Sequence, residues 1–227
     1  PTPGAVMDTT LLLNEMYDGV LTVDVGGATT DIHSVCEPKP EFIKYSDGEP
    51  RFKRTVEGDL GVYVNRYNVM KTFKEGELER LMGMTKDEMM SVLDQASFVP
   101  KNKIEEKLNH ILTKQCVFQA MHRHAGDLRR VFTTNGYKVI PEGKDLTQVK
   151  AIFYTGGALL NASQSEQMMI DYLNKYDTKL IPDPSVSIFK DHDYIFASIG
   201  VLSRVYKEQA KALLQQTLRV KGASDVS

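Results

Sequence analysis

Two carboxylates frame a glycine turn near the start of the sequence. Asp24 ends a short β-rich apolar run, Asp31 begins the next alternating run, and Gly26 and Gly27 lie between them. Because glycine has no Cβ, the backbone N–H groups of such a turn can approach an anion closely and hold phosphate oxygens. Carboxylates at such a turn could bind the Mg²⁺ ion that accompanies the phosphates, through the water molecules that the ion retains. Residues 24–31 therefore predict a metal and phosphate corner, with a purely structural β-hairpin as the alternative.

A second glycine corner follows a later predicted strand. The apolar run at residues 152–154 leads through Thr155 into Gly156, Gly157 and Ala158, ahead of a helix-like segment. A glycine pair here lets the backbone approach a flat ligand, and the free N–H groups of a helix start favour phosphates. The pattern predicts a nucleoside contact, and by itself it fits a strand-to-helix turn without a ligand equally well.

Together, the two corners resemble the phosphate and adenosine motifs of the ASKHA superfamily, which includes actin, DnaK-type chaperones and sugar kinases. The first motif of that superfamily is DxGGxTxD, and residues 24–31 match it at every fixed position. The resemblance implies ATP or ADP as the ligand, and Asp24 and Asp31 as catalytic residues that hold Mg²⁺ through water. The nucleotide contacts that it implies are Gly26, Gly27, Ala28, Thr29 and Thr30 at the phosphates and Gly156, Gly157 and Ala158 at the adenosine.

An acidic turn at residues 57–59 has two interpretations. In the superfamily a turn near this place approaches the nucleotide, which would add Glu57, Gly58 and Asp59 to the contacts. Asp59 would serve equally well as the N-terminal cap of a following helix.

A closer resemblance runs over nearly the whole chain. Residues 23–35, 54–61 and 155–158 resemble the glutamate-mutase-associated family called MutL or GlmL, which shares only its name with the DNA mismatch-repair protein. Members accompany adenosylcobalamin-dependent mutases and aminomutases and are taken to be their reactivating ATPase chaperones. The resemblance implies such a mutase as partner and a nucleotide-driven release of damaged cobalamin.

One feature of the superfamily is not found in this sequence. ASKHA proteins hold the nucleotide from a second side with a glycine hairpin in an N-terminal half, and no DxGxxxT-type element precedes Asp24. We therefore expect residues 1–227 to be the C-terminal half of an ATPase whose own N-terminal half is its partner. For this half alone we expect weak nucleotide binding and little or no hydrolysis.

Hydrophobic periodicity predicts an α/β sheet with a helical insertion. The resemblance to the ASKHA superfamily implies that this sheet is a ribonuclease-H-like (actin-like ATPase) domain, with a mixed central sheet flanked by helices. The predicted core covers about residues 1–60 and 148–220, with a helical insertion at about 61–147. Asp193 is predicted to cap the last helix. The predicted strands are 20–23, 30–36, 42–45, 52–56, 148–154 and 179–181, and the predicted helices are 5–17, 61–73, 77–82, 86–96, 103–132, 165–176 and 193–218.

Composition and charge limit the classes of partner and the compartment that we expect. The 28 Lys and Arg residues nearly balance the 30 Asp and Glu residues, so no strong field attracts nucleic acid or anionic lipid. The longest apolar runs fall well short of the ~20 residues that span a bilayer. Cys36 and Cys116 lie far apart without a CxxC partner, which favours a reducing compartment. We expect a cytoplasmic protein without nucleic-acid or membrane partners.

Two further function classes stay open. A small-molecule kinase of the same superfamily would need a substrate pocket and a catalytic base outside this sequence. A non-catalytic assembly module would either form filaments or keep a nucleotide site that has decayed.

Overall fold

The computed structural model describes residues 2–46, 48–134 and 136–222. Within those ranges, no helix is both long and apolar enough to cross a membrane. The strands are β1 Val20–Val25, β2 Thr30–Val35, β3 Phe52–Glu57, β4 Asp127–Thr133, β5 Gly136–Glu142, β6 Ala151–Thr155 and β7 Ser187–Lys190. The helices are α1 Thr2–Tyr17, α2 Arg66–Met70, α3 Glu77–Met82, α4 Lys86–Gln95, α5 Lys103–His124, α6 Gly157–Asn161, α7 Ser165–Lys175, α8 Phe196–Ser203 and α9 Lys207–Gly222.

The central sheet has five strands in the order β3-β2-β1-β6-β7. Strands β1, β2 and β3 form an antiparallel meander, and β6 and β7 add to β1 in parallel. This order of an antiparallel meander and parallel strands, with helices on both faces, is the ribonuclease-H-like arrangement. The predicted fold class, an actin-like mixed sheet flanked by helices, is confirmed.

Strand β1 is at the centre of the fold and is buried along its whole length. Its β-branched residues suit a strand that packs on both faces. On one face Val23 packs into a large cluster that includes Leu112 of α5. On the other face Val20 packs with Leu13 of α1 and Ile199 of α8. The ends of β1 and β6 are thereby fixed from both sides.

The region between β3 and β6 contains more than helices. The predicted helix at residues 103–132 is wrong beyond His124, because the chain turns at Gly126 and continues as the β4–β5 hairpin. A Cβ on Gly126 would collide with the Glu142 carbonyl, so only glycine permits this close approach. The predicted helix at residues 61–73 shortens to α2, since residues 61–65 form a loop with its own role at the site.

Three other predictions were wrong in detail. Residues 42–45 belong to a 3₁₀ helix, Pro40–Tyr45, whose first residue is a proline that fixes φ and cannot donate to a sheet ladder. The last strand is β7, whereas residues 179–181 contribute only an isolated bridge between Lys179 and Asp127. The predicted helix at residues 193–218 is divided into α8 and α9.

Candidate functional site

The two glycine corners lie side by side at one edge of the sheet. Strands β1 and β6 are parallel neighbours, and Asp24 is the register partner of Thr155. Gly156 follows with φ +94°, a conformation that favours glycine, and a Cβ there would lie less than 3.0 Å from Asp24 Oδ1 and from Val25. The corner after β6 is therefore packed directly on the start of the turn after β1.

The turn between β1 and β2 is held by the loop at residues 61–65. The amides of Tyr63 and Val64 donate to the Gly27 carbonyl at 2.9 and 2.8 Å. The Asn65 side-chain amide donates to the Ala28 carbonyl at 2.7 Å. Gly61 packs so closely on Ala28 that any Cβ would overlap it. The turn thus has a fixed conformation before any ligand binds.

This arrangement leaves three amides of the turn without a backbone acceptor. Its carbonyls at Gly26 and Gly27 accept from residues 62–64, and the Gly26 amide donates to Thr29 O at 2.9 Å. Within residues 2–46, 48–134 and 136–222, no backbone acceptor takes the amide hydrogens of Gly27, Ala28 or Thr29. A cluster of free amides without competing carbonyls can bind an anion.

The two predicted metal-side carboxylates are neighbours across the β1–β2 ladder. Asp24 and Asp31 are register partners and are 9% and 2% exposed. The Thr29 hydroxyl donates to Asp31 Oδ2 at 3.0 Å, while Asp31 Oδ1 is buried without a hydrogen-bond partner. A buried acceptor without a partner is costly in a protein that binds nothing there, and a metal-bound water would satisfy it.

The same site does not form a metal cage of its own. In the described part of the chain, no group of three or more His, Cys, Asp and Glu residues is placed to hold an ion. Two carboxylates without further ligands suit Mg²⁺, which binds proteins through one or two carboxylates, waters and substrate phosphates. The donor set of Asp24 and Asp31 therefore fits a metal that arrives with a nucleotide.

Burial changes the protonation of both carboxyls. Burial, together with the negative charges of Asp31 and Asp191, raises the pKa of Asp24 to about 7. Burial also raises the pKa of Asp31, against the hydrogen bond from Thr29, which lowers it. Raised pKa values of this kind are typical of functional sites. A cation bound here would lower both pKa values again, because it favours the charged carboxylates.

Two of the predicted contacts are occupied within the protein. The Thr30 hydroxyl is buried and donates to the Leu60 carbonyl at 2.7 Å. The Ala158 side chain is 8% exposed and belongs to the core that packs against α5. Both residues therefore support the backbone of the turn and of the corner from the protein interior.

The acidic turn at residues 57–59 is bound to α5. Arg123 donates to Glu57 Oε2 at 2.5 Å and to both carboxylate oxygens of Asp59 at 2.9 to 3.1 Å. The Gly58 carbonyl accepts from the Asn65 side chain at 2.9 Å. The predicted cap role of Asp59 is wrong, because Asn65 stands at the N-cap of α2. The turn instead connects β3, the loop at residues 61–65 and α5.

Asp191 is a buried residue of this edge that the sequence did not single out for it. It accepts a hydrogen bond from the Thr155 hydroxyl at 2.8 Å, and its own amide donates to the Tyr154 carbonyl at 2.9 Å. It also accepts from the amides of Ile195 and Phe196, at the start of α8. The predicted cap Asp193 is therefore wrong, and Asp191 connects β6 to α8 next to Gly156.

Aromatic side chains flank the two corners. A Cβ on Gly157 would meet only the Tyr194 hydroxyl within 4 Å, at 3.8 Å, so the surface of Gly157 is otherwise open. The exposed Phe98 ring lies over Gly27 and packs edge-on against Tyr63, with ring centroids 5.3 Å apart. No sequence pattern predicts Tyr194 or Phe98 at this site, because both come from loops that only the tertiary structure brings here.

Comparison with known proteins identifies relatives over nearly the whole chain. The model of a family described as "MutL protein" matches residues 1–218. "Protein MutL" of Clostridium tetanomorphum is 30% identical over 235 residues, which cover 96% of this chain and 50% of that protein. The chain thus spans about half the length of this curated relative.

Solved structures give more distant matches. Component A of the (R)-2-hydroxyglutaryl-CoA dehydratase of Acidaminococcus fermentans matches with a TM-score of 0.39 and 13% identity, over 91% of this chain and 69% of that one. A non-polymerisable quadruple mutant of pCBH ParM matches with a TM-score of 0.38 and 16% identity, over 88% of this chain and 51% of that one.

Proposed function

The chain belongs to the MutL protein family, and from that membership we propose that it is the ATP-binding C-terminal half of an actin-like ATPase. The whole protein reactivates an adenosylcobalamin-dependent mutase by releasing damaged cobalamin from it. The mutase is either glutamate mutase or an aminomutase. The proposed domain division is a core at about residues 1–60 and 148–220 and an insertion at about 61–147.

One observation carries the nucleotide assignment. Two corners far apart in sequence meet at one edge of the sheet, where Gly156 packs on Asp24 and Val25. One corner offers unpaired amides and a buried carboxylate oxygen without a partner, and the other offers an open glycine surface beside Tyr194. A phosphate-bearing ligand with a flat base is the class of molecule that this combination fits.

In this proposal each group has one role. The amides of Gly27, Ala28 and Thr29 bind phosphate oxygens, and Gly157 faces the nucleoside. Asp24 and Asp31 hold the waters of Mg²⁺, which would neutralise the phosphate charge when bound. Gly58 acts through Asn65, whose side chain also holds the Ala28 carbonyl of the turn. Glu57 and Asp59 fix the acidic turn to Arg123 of α5.

The mechanical part of the proposal depends on the rest of the protein. The chain covers half of the length of its curated relative, so a second half can close on the nucleotide from the other side. A ligand shifts such an equilibrium by its difference in affinity for the open and closed forms, and this difference would distort a bound mutase. A cytoplasmic location, where mutase and nucleotide are found together, belongs to the proposal.

The test uses the full-length protein and the purified adenosylcobalamin-dependent mutase of the same organism, inactivated with cyanocobalamin. We expect Mg²⁺ and ATP to restore mutase activity and to release the cobalamin, measured by its absorbance after gel filtration. Asp31→Asn should lower ATP hydrolysis at least tenfold, because it removes a charged ligand of the metal waters. Asp87→Asn, at an exposed carboxylate on α4, is the matched control. Unchanged hydrolysis in Asp31→Asn, or no ATPase activity at all, would contradict the proposal.

A further inference from the structure

The β4–β5 hairpin presents an exposed aromatic face. Phe132 and Tyr137 are cross-strand partners and so share a face with Arg130 and Val139, the partners two positions away. Phe132 is 74% and Tyr137 is 78% exposed, and Val139 is 53% exposed. The two rings contact each other edge-on, with centroids 5.4 Å apart. This face has no cover among the described residues.

The base of the hairpin, in contrast, is firmly anchored. The Gly126 amide donates to Lys144 O at 2.8 Å, and the Leu128 amide donates to Thr178 O at 2.7 Å. A two-stranded ribbon is only marginally stable in water, so such anchors are needed to hold it. The fold therefore maintains a projecting ribbon whose outer half contributes little to the core.

Charges on the hairpin are unequally satisfied. Asp127 pairs with Lys179 at 2.9 Å, and Glu142 pairs with Arg129 at 2.7 Å. Lys138 lies over the Tyr45 ring, 5.6 Å from its centroid, and Arg130 has no carboxylate partner in the part of the chain that the structure describes. The face with the aromatic rings thus carries one unpaired positive charge, Arg130, whereas Lys138 is on the opposite face of the ribbon. The acidic groups at the base of the hairpin are already paired.

We propose that this hairpin face, defined by Arg130, Phe132, Tyr137 and Val139, docks onto an acidic surface of the client protein. Exposed apolar patches with a polar border mark protein contacts, and aromatic residues and Arg are enriched in them. One cation is too few for an electrostatic footprint on nucleic acid, where each phosphate contact needs its own Lys or Arg. The inference rests on the proposed function, because it names the surface that meets the mutase.

The experiment measures binding of the full-length protein to the purified mutase by isothermal titration calorimetry in the presence of Mg²⁺ and ATP. We expect Phe132→Ser combined with Tyr137→Ser to weaken binding at least tenfold. Arg130→Glu should also weaken binding, and the loss of affinity should be larger at low salt than at high salt. Controls of the same kind outside the hairpin are Val205→Ser, at a side chain 75% exposed, and Arg80→Glu, at an exposed position on α3. All variants should keep the wild-type Tm and the wild-type affinity for ATP.

The outcomes separate the two proposals. If the wild-type protein binds the mutase and the hairpin variants bind it equally well, the hairpin assignment is wrong and the reactivation function stands. If the wild-type protein binds ATP and no mutase, the client role fails and the hairpin assignment fails with it. Hairpin-dependent binding to single-stranded RNA or to phosphatidylserine vesicles, in place of the mutase, would overturn the commitment to an acidic protein surface.

Discussion

Gly156 touches Asp24 across the neighbouring strands β6 and β1, with no room for a side chain between them. The nucleoside corner and the metal-side carboxylate are consequently one packed unit. Any change that moves the backbone at position 156 must also move the Asp24 carboxylate or the Val25 peptide.

Replacing Gly156 with alanine tests this contact directly. The new Cβ would collide with Asp24 and Val25 in a backbone with φ +94°. We expect the free energy of unfolding to fall by about 3 to 5 kcal/mol from overpacking and strain, as measured by urea titration. Gly83→Ala is the control, because φ there is +73° and nothing lies within 4 Å, so only the strain of about 1 to 2 kcal/mol applies. Equal losses in both variants would show that the contact does not matter.

The raised pKa of Asp24 predicts a pH-dependent stability. A carboxyl whose folded-state pKa lies above its unfolded value stabilises the fold at low pH, and this contribution is lost as the pH rises through the folded value. Since the pKa of Asp24 rises from 3.8 to about 7, Asp24→Asn should raise the Tm of the ligand-free protein more at pH 8 than at pH 5, where the folded carboxyl is protonated and only the unfolded one has ionised. Asp87→Asn should give the same small change at both values. A pH-independent effect of Asp24→Asn would refute the shift.

Asp191 is expected to act on the site through Thr155. Asp191→Asn weakens the hydrogen bond from Thr155 and the contacts with the first amides of α8, which should cost about 1 to 3 kcal/mol of stability. Thr155→Val removes only the hydroxyl and should cost less. Both should lower the affinity of the full-length protein for Mg²⁺ and ATP, measured by calorimetry. An unchanged affinity in Thr155→Val would limit Asp191 to a structural role.

The ion pairs of Arg123 connect α5 to the acidic turn, and we expect their contribution to the free energy of unfolding to depend on salt. Its guanidinium is 37% exposed and contacts Glu57 and Asp59, so Arg123→Gln should lower the free energy of unfolding by about 1 kcal/mol at low salt and by less at 1 M salt. The exposed Arg80 on α3 serves as the control through Arg80→Gln. A loss in Arg123→Gln that does not change with salt would argue for packing in place of the ion pair.

The corners could be predicted because their chemistry is local in sequence. Strand β1, the turn after it and Asp31 are contiguous, and glycine spacing alone suggests an anion site. Asp191 and Phe98 could not be predicted this way, because neither carries a local signal for the place to which packing brings it. The sequence also does not predict that Asp31 Oδ1 is buried without a hydrogen-bond partner, because this depends on the residues that pack around it.

The missed hairpin has a different cause. Apolar residues continue at helix-like spacing past His124, so periodicity extended α5 into β4. The helix ends at His124, and the chain turns at Gly126, where the backbone of residue 142 lies against the glycine. That contact joins residues far apart in the chain, and a single glycine gives only a weak sign of it.

The loop at residues 61–65 limits how the phosphate turn could be used by a protein engineer. Residues 24–31 alone would form a hairpin whose carbonyls compete with its amides, because Tyr63, Val64 and Asn65 would no longer occupy them. A graft onto another scaffold would therefore have to carry this second segment as well, together with a glycine at the position of Gly61. The transferable unit is a pair of segments, because the second segment occupies the carbonyls that would otherwise compete for the proposed anion.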